Sequence, residues 1–181
     1  FLPARGGSKR IVGKNLQMVG GRSLLRRAID AAIGGGCDRV VVSTDDAAIR
    51  AEAMMYCDVH DRPAALASDH AQIETSISHW WTRLAADEKP DTVVLLQPTS
   101  PLRTATHVRE AIALLRVTGA DSVVGVVAGH ETHFAGRMKP RELYSSDCGA
   151  DECCPPISTY YQWQPFSVAS AAERPRTQDL G

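Results

Sequence analysis

Short β-branched runs alternate with stretches of helical period along the first two-thirds of this chain, and that alternation constrains the fold more than any single residue. "RVVVSTD" (39–45) and "DTVVLLQPTS" (91–100) are Val- and Leu-rich runs ending in polar turn residues, and "DSVVGVVAG" (121–129) is a third. Such runs read as strands buried on both faces, as in a parallel sheet. "FLPAR" reads as the tail of another strand. Between them, "SLLRRAIDAAIGGG" (23–36) places Leu24, Leu25, Ala28, Ala31 and Ala32 on one helical face and stops at its glycines. "DAAIRAEAMMY" (46–56), "IETSISHWWTRLAAD" (73–87) and "ATHVREAIALLRVTG" (105–119) have the same period. Strand, helix, strand, helix predicts a doubly wound α/β domain, a mostly parallel sheet with helices on both faces. Right-handed crossovers then align the strand C-termini along the edge where such sheets bind ligands. The expected site loops are therefore "RGGSKRIVGKN", "STDD" and "QPTSPLR".

The nucleotide-binding core is expected over residues 1–127. From about Gly129 the period is lost and prolines accumulate, so 128–181 is expected to be an irregular region that covers substrate or mediates dimerisation. Twenty Lys and Arg against 21 Asp and Glu give a formal net charge of -1, which argues against a nucleic-acid or membrane-surface binder. No apolar run approaches the roughly 20 residues of a membrane span, and no signal-peptide core opens the chain, so a cytoplasmic setting is expected. Five cysteines, an odd number, fit reduced thiols rather than a disulfide framework. Cys148, Cys153 and Cys154 lie close together, but without the C-x2-C spacing of a zinc site.

Against this neutral background the opening stands out. "FLPARGGSKRIVGKN" concentrates Arg5, Lys9, Arg10 and Lys14 on a glycine-rich turn. Such a turn, leaving a strand, can bring backbone N–H groups close to an anion, and Lys and Arg add charge-assisted hydrogen bonds. Triphosphate is the natural ligand; the bland alternative is a surface turn with solvated charges. The loop is not a Walker A motif, because Gly7 and Gly13 are separated by five residues and Asn15 stands where Ser or Thr is needed. "STDD" (43–46) offers two adjacent carboxylates that could ligate magnesium. The simpler reading is a helix N-cap at Thr44 or Asp45 followed by an acidic first turn.

"LPARGGSKRIVGKN" closely resembles the opening of the N-acylneuraminate cytidylyltransferases, the CMP-sialic acid synthetases. "DRVVVSTDDAAIRAEA" (38–53), "RPAALASDHA" (62–71), "VVLLQPTSPLRTATHVREAI" (93–112) and "ADSVVGV" (120–126) continue the likeness in the family's order. It is continuous through about Val127 and patchy afterwards; near the end "RPRTQDLG" resembles the segment leading into the family's N-G-A-I-Y stretch.

The resemblance implies a Rossmann-like nucleotidyltransferase fold. The implied reaction takes CTP and a nine-carbon 2-keto sugar acid to the CMP-sugar and pyrophosphate, with Mg2+ as cofactor and a homodimer as assembly. Residue by residue, it implies catalytic roles for Arg5, Lys9 and Lys14, and nucleotide contacts for Arg5, Ser8, Lys9, Lys14, Asn15, Arg62, Ser68 and Gln97. Sugar contacts fall to Gln97, Ser100 and Arg103, with Arg103 read as more structural than catalytic. The bland alternatives, less favoured, are an Arg-Pro turn for Arg62 and a satisfied strand-end amide for Gln97. "SDHAQIETSI" departs from the family's S-D-T-A-S-S-I, which weakens the carry-over to Ser68, and a lone His70 is a poor general base. The family's acidic metal-binding segment has no counterpart here, so the metal ligands are unassigned. Two alternatives stay open: a cytidylyltransferase for another acceptor, an eight-carbon keto acid or a phosphonate, and a non-catalytic nucleotide-binding domain.

Overall fold

The computed structural model of the chain describes residues 1–9, 11–68, 71–129 and 160–170. Strand β1 (Leu2–Pro3) leads into a turn, and a short hairpin follows, β2 (Met18–Val19) with β3 (Arg22–Ser23). Helix α1 (Leu24–Gly34) starts where the Ser23 hydroxyl accepts from the Arg26 N–H at 2.9 Å, satisfying one of the donors a helix start leaves open. It buries Leu24, Leu25, Ala28, Ile29, Ala31 and Ala32, the face that its period predicts. Then come β4 (Val41–Thr44), α2 (Ala47–Ala53), β5 (Asp58–Asp61), α3 (Ile73–Trp81), β6 (Thr92–Leu96), α4 (Ala105–Thr118), β7 (Ser122–Gly129) and β8 (Tyr160–Ser170).

Parallel ladders join β1 to β4 and β4 to β5. Phe1 carries the sheet onward. Its amino group donates to the Val94 carbonyl at 2.8 Å, and its own carbonyl accepts from the Leu96 N–H at 3.1 Å, the slanted pattern of parallel strands. β8 runs antiparallel between β6 and β7. The strand order is thus β5-β4-β1-β6-β8-β7. The crossovers through α1 and α2 step to one side of β1, and that through α4 steps to the other side of β6. The order reverses between β1 and β6, and the crevice beyond their C-terminal ends is the topological switch point.

Alternation along the strands divides the core into two layers, because successive side chains of a strand point to opposite faces. Leu2, Val42, Val94 and Leu96 pack against α1, α2 and α4 through Leu25, Ile29, Ile49, Val108 and Leu115. Phe1 and Val41, with Val93 and Leu95, face α3, where the Phe1 and Trp80 rings lie 5.2 Å apart. Truncating Leu25 or Ile29, both fully buried, to Ala would cost about 2–5 kcal/mol. Helices on both faces of a largely parallel sheet are the fold that the alternation predicts.

Three local expectations are corrected. The cap of α2 is Asp46, not Thr44 or Asp45: its Oδ1 accepts from the Ala48 and Ile49 N–H groups at 2.9 Å, and no acidic residue follows in the first turn. Thr44 still belongs to β4. Helix α3 ends at Trp81 rather than running to 87. The region after Gly129 is not without regular structure, since β8 supplies an 11-residue strand whose partners lie about 30 to 80 residues away in sequence. β5 and the hairpin carry no apolar run, which is why periodicity passes over them. His70, Arg10 and Cys148, Cys153 and Cys154 lie outside the described residues. Cys37 and Cys57 are free thiols, and burial pushes Cys57 up to about 11.

Candidate active site

The crevice beyond β1 and β6 holds a cleft of about 220 Å³. Its basic wall comes from the opening loop. Arg5, Ser8, Lys14 and Asn15 line it, and Arg62, at the end of β5, closes it. Gln97, Pro98 and Thr99, at the end of β6, form the opposite wall. Seven of the residues singled out in the sequence therefore meet in one place: Arg5, Ser8, Lys14, Asn15, Arg62, Ser68 and Gln97. Lys9, Ser100 and Arg103 do not line it.

The loop is held by its own backbone and by neighbouring strands. The Ser8 N–H donates to the Gly6 carbonyl at 2.8 Å, a tight turn. The buried Asn15 donates from its amide nitrogen to the Arg5 carbonyl at 3.0 Å, which ties the two ends of the loop together. Lys14 opens a single 3-10 turn, Lys14–Leu16, reached through Gly13 at φ 59°, a left-handed backbone that favours glycine. The Arg5 guanidinium donates to the Ala67 carbonyl at 3.3 Å. Arg62 is 9% exposed and donates to Ser43, through Nε to Oγ at 3.2 Å and through Nη2 to the carbonyl at 2.9 Å. Burial lowers its pKa from the usual arginine value; nearby Asp45 opposes the shift and Arg5 adds to it.

On the other wall the Arg103 guanidinium donates to the Gln97 carbonyl at 2.9 Å, and burial brings its pKa down to about 10. The Ser100 N–H reaches the same carbonyl at 3.4 Å. Both residues shape the loop that presents Gln97. Arg27 adds a bond from Nε to the Pro101 carbonyl at 2.8 Å.

Sequence reasoning passed over the third side. Gln72, Ile73 and Ser76, at the start of α3, line the cleft with Leu66 and Ala71. Ser76 is 2% exposed on a helical face otherwise formed by Ile73, Ile77 and Trp80. A hydroxyl on an apolar face was the legible signal.

The described walls carry Arg5, Lys14 and Arg62 and not one carboxylate. A cleft of this kind favours a polyanion with an attached ring: cations and turn amides for the charge, Gln97 for a base edge, Leu66 and Ile73 for apolar contact. A divalent ion fits these residues poorly, since hard cations take oxygen ligands, chiefly carboxylates, and no group of three Asp, Glu, His or Cys side chains converges among the described residues. No described helix is long and apolar enough to cross a membrane.

A largely parallel α/β sheet with a basic loop at its switch point is an arrangement suited to a phosphate-bearing ligand. The family profile described as cytidylyltransferase matches residues 1–139. The chain belongs to the cytidylyltransferase family, a family of nucleotidyltransferases, as its opening motifs imply. It is 40% identical over 129 residues to the CMP-N,N'-diacetyllegionaminic acid synthase of Legionella pneumophila, covering 69% of this chain and 55% of that protein. It is 38% identical over 116 residues to the N-acylneuraminate cytidylyltransferase of Escherichia coli, covering 63% of this chain and 27% of that protein. A 3-deoxy-manno-octulosonate cytidylyltransferase of Xylella fastidiosa is 36% identical over 121 residues, covering 66% of this chain and 46% of that protein. The chain thus spans about half or less of these relatives. Among solved structures, CMP:2-keto-3-deoxy-manno-octonic acid synthetase complexed with CTP superposes with a TM-score of 0.65 at 17% identity, over 93% of this chain and 72% of that one. The fold is shared with it.

Proposed function

We propose that this chain is the nucleotide-binding core of a cytidylyltransferase that transfers CMP from CTP to a nine-carbon 2-keto sugar acid and releases pyrophosphate. The observation that carries the reading is the convergence of Arg5, Ser8, Lys14, Arg62 and Gln97 on one cleft at the switch point. The acceptor's anomeric hydroxyl attacks the α-phosphorus and gives up its proton to water; the new P–O bond forms as the bond from the α-phosphorus to the α,β-bridging oxygen breaks, and pyrophosphate leaves with that oxygen. Lys14, Arg5 and the loop bind the triphosphate and take up charge that grows on the departing pyrophosphate. Arg62, preset by Ser43, orients the nucleotide. The Gln97 amide, able to donate and accept, suits the cytosine edge or a sugar hydroxyl.

The nine-carbon acceptor is supported by the likeness to the Legionella CMP-N,N'-diacetyllegionaminic acid synthase and the Escherichia N-acylneuraminate cytidylyltransferase. The Xylella relative supports a second reading with an eight-carbon acid, 3-deoxy-manno-octulosonate. A homodimer and a cytoplasmic setting belong to the same proposal on the strength of the resemblance; the resemblance also implies a divalent metal, for which the described cleft residues offer no ligand set. The test is pyrophosphate release from CTP with a panel of eight- and nine-carbon keto sugar acids, beside ATP, GTP and UTP. Preferential turnover of CTP with a nine-carbon acid is expected. Turnover with 3-deoxy-manno-octulosonate alone would select the second reading, and equal use of UTP or ATP would overturn cytidine selectivity.

A further inference from the structure

Asp45 lies outside the cleft wall, yet it touches the basic loop. Its Oδ1 accepts from the Gly6 N–H at 3.0 Å, across 39 residues of sequence. Gly6 stands between Arg5 and the turn that ends at Ser8, both of which line the cleft. The neighbouring Asp46 sits directly beneath it: a β-carbon at Gly6 would fall 2.5 Å from Asp46 Oδ2 and 2.7 Å from Asp46 Cβ. Only glycine lets the loop rest against the cap of α2. Asp45 itself continues from β4, whose Ser43 holds Arg62. One strand end therefore touches both halves of the basic wall, Arg62 through Ser43 and the opening loop through Asp45.

We infer that Asp45 is a positioning residue for the triphosphate loop, fixing Arg5 and Ser8 through the Gly6 N–H. The inference rests on the proposed nucleotidyl transfer. The Gly6 N–H is occupied by the carboxylate, so it orders the loop and leaves the ligand to the residues on either side. The two consequences of a carboxylate here have opposite signs. As a charge near Arg62, Asp45 weakens the binding of any anion. As an acceptor for the Gly6 N–H, it strengthens binding by keeping the loop in one shape.

Asp45→Asn and Asp45→Ala separate the two, because asparagine keeps an acceptor oxygen and loses the charge. Binding of inorganic tripolyphosphate and of CTP is measured by calorimetry, with thermal unfolding alongside. Asp45→Asn is expected to bind tripolyphosphate as tightly as the wild type or about threefold more tightly, and Asp45→Ala about tenfold more weakly. In turnover, Asp45→Ala raises KM for CTP and leaves KM for the acceptor unchanged. The Gly6 amide of the wild type exchanges slowly with deuterium, a readout that needs no variant. Ala and Asn variants that bind equally well overturn the inference, as does fast exchange at Gly6 or a loss that follows unfolding alone. A wild-type protein that binds neither tripolyphosphate nor CTP overturns the proposed function, and this inference with it.

Discussion

The two walls of the cleft hold their functional groups in different ways. On the basic wall, cations are presented on short segments and steadied by hydrogen bonds to backbone and hydroxyl oxygens: Arg62 by Ser43, Arg5 by Ala67. On the opposite wall the cation stands behind the cleft. Arg103 grips the Gln97 carbonyl and leaves a neutral amide to face the ligand. The same residue type is a contact on one side and a brace on the other. Position relative to the strand end, rather than charge, decides which.

The contrast is tested most severely at Arg62. Arg62→Met removes a buried cation whose hydrogen-bond partners are neutral, and kcat/KM for CTP is expected to fall about 100-fold, the upper end for one charge-assisted contact in a buried setting. A steady-state assay that shows less than a threefold loss would make Arg62 a structural turn residue.

Lys14→Ala is expected to lower kcat/KM by about 10- to 100-fold, the value of one charged hydrogen bond to phosphate. Its melting midpoint should correspond to a stability change of about 1 kcal/mol or less, because the half-buried lysine sits on a surface turn. Full activity would reduce the basic loop to a solvated turn, and an unfolded variant would make Lys14 structural.

Arg103→Met should cost less, about three- to tenfold in kcat/KM, because it frees the Gln97 carbonyl without removing a ligand contact. A loss as large as that of Lys14→Ala would mean that Arg103 reaches substrate after all, and the distinction between contact and brace would fail.

The smallest effect concerns acid stability behind the basic wall. His60 on β5 and His79 on α3 share a 2.9 Å contact, and the Arg83 Nε–H donates to His79 Nε2 at 3.1 Å. That donation makes Nδ1 the protonated nitrogen of a neutral His79, so His60 must accept through Nε2. Burial above all lowers the His60 pKa from its usual 6.5, and the neighbouring His79, Arg83 and Arg62 disfavour a second cation there. The unfolded chain therefore binds the proton more readily. The associated stability is complete above pH 6.5 and is lost as the pH falls toward the lowered folded value. Denaturant midpoints measured from pH 7.5 to 5 should decline for the wild type and flatten for His60→Gln. An identical decline in both would remove His60 from the account.

The sequence by itself determined the strand and helix alternation, the faces that α1 and α4 bury, and the basic residues of the opening loop. These are local properties: a period of two or 3.6, or charges crowded on a turn, is written in neighbouring residues. Four cleft residues on segments far apart, Arg5, Lys14, Arg62 and Gln97, were singled out by the family resemblance; the loops of Arg5, Lys14 and Gln97 also follow runs that read as strands, and a parallel sheet gathers its strand ends on one edge. Only the tertiary structure decided which side chains face inward. Arg103 lies five residues from Pro98 yet turns behind the wall, and Asn15 donates to the Arg5 carbonyl. Ser76 enters the cleft because α3 packs on the sheet through Trp80, and β8 pairs with β6 and β7 from about 30 to 80 residues away. Asp45 and Asp46 are adjacent in sequence, but one holds the loop and the other caps a helix. Their division of labour follows from the direction each carboxylate takes as the chain leaves β4, and side-chain direction is set by packing rather than by sequence spacing.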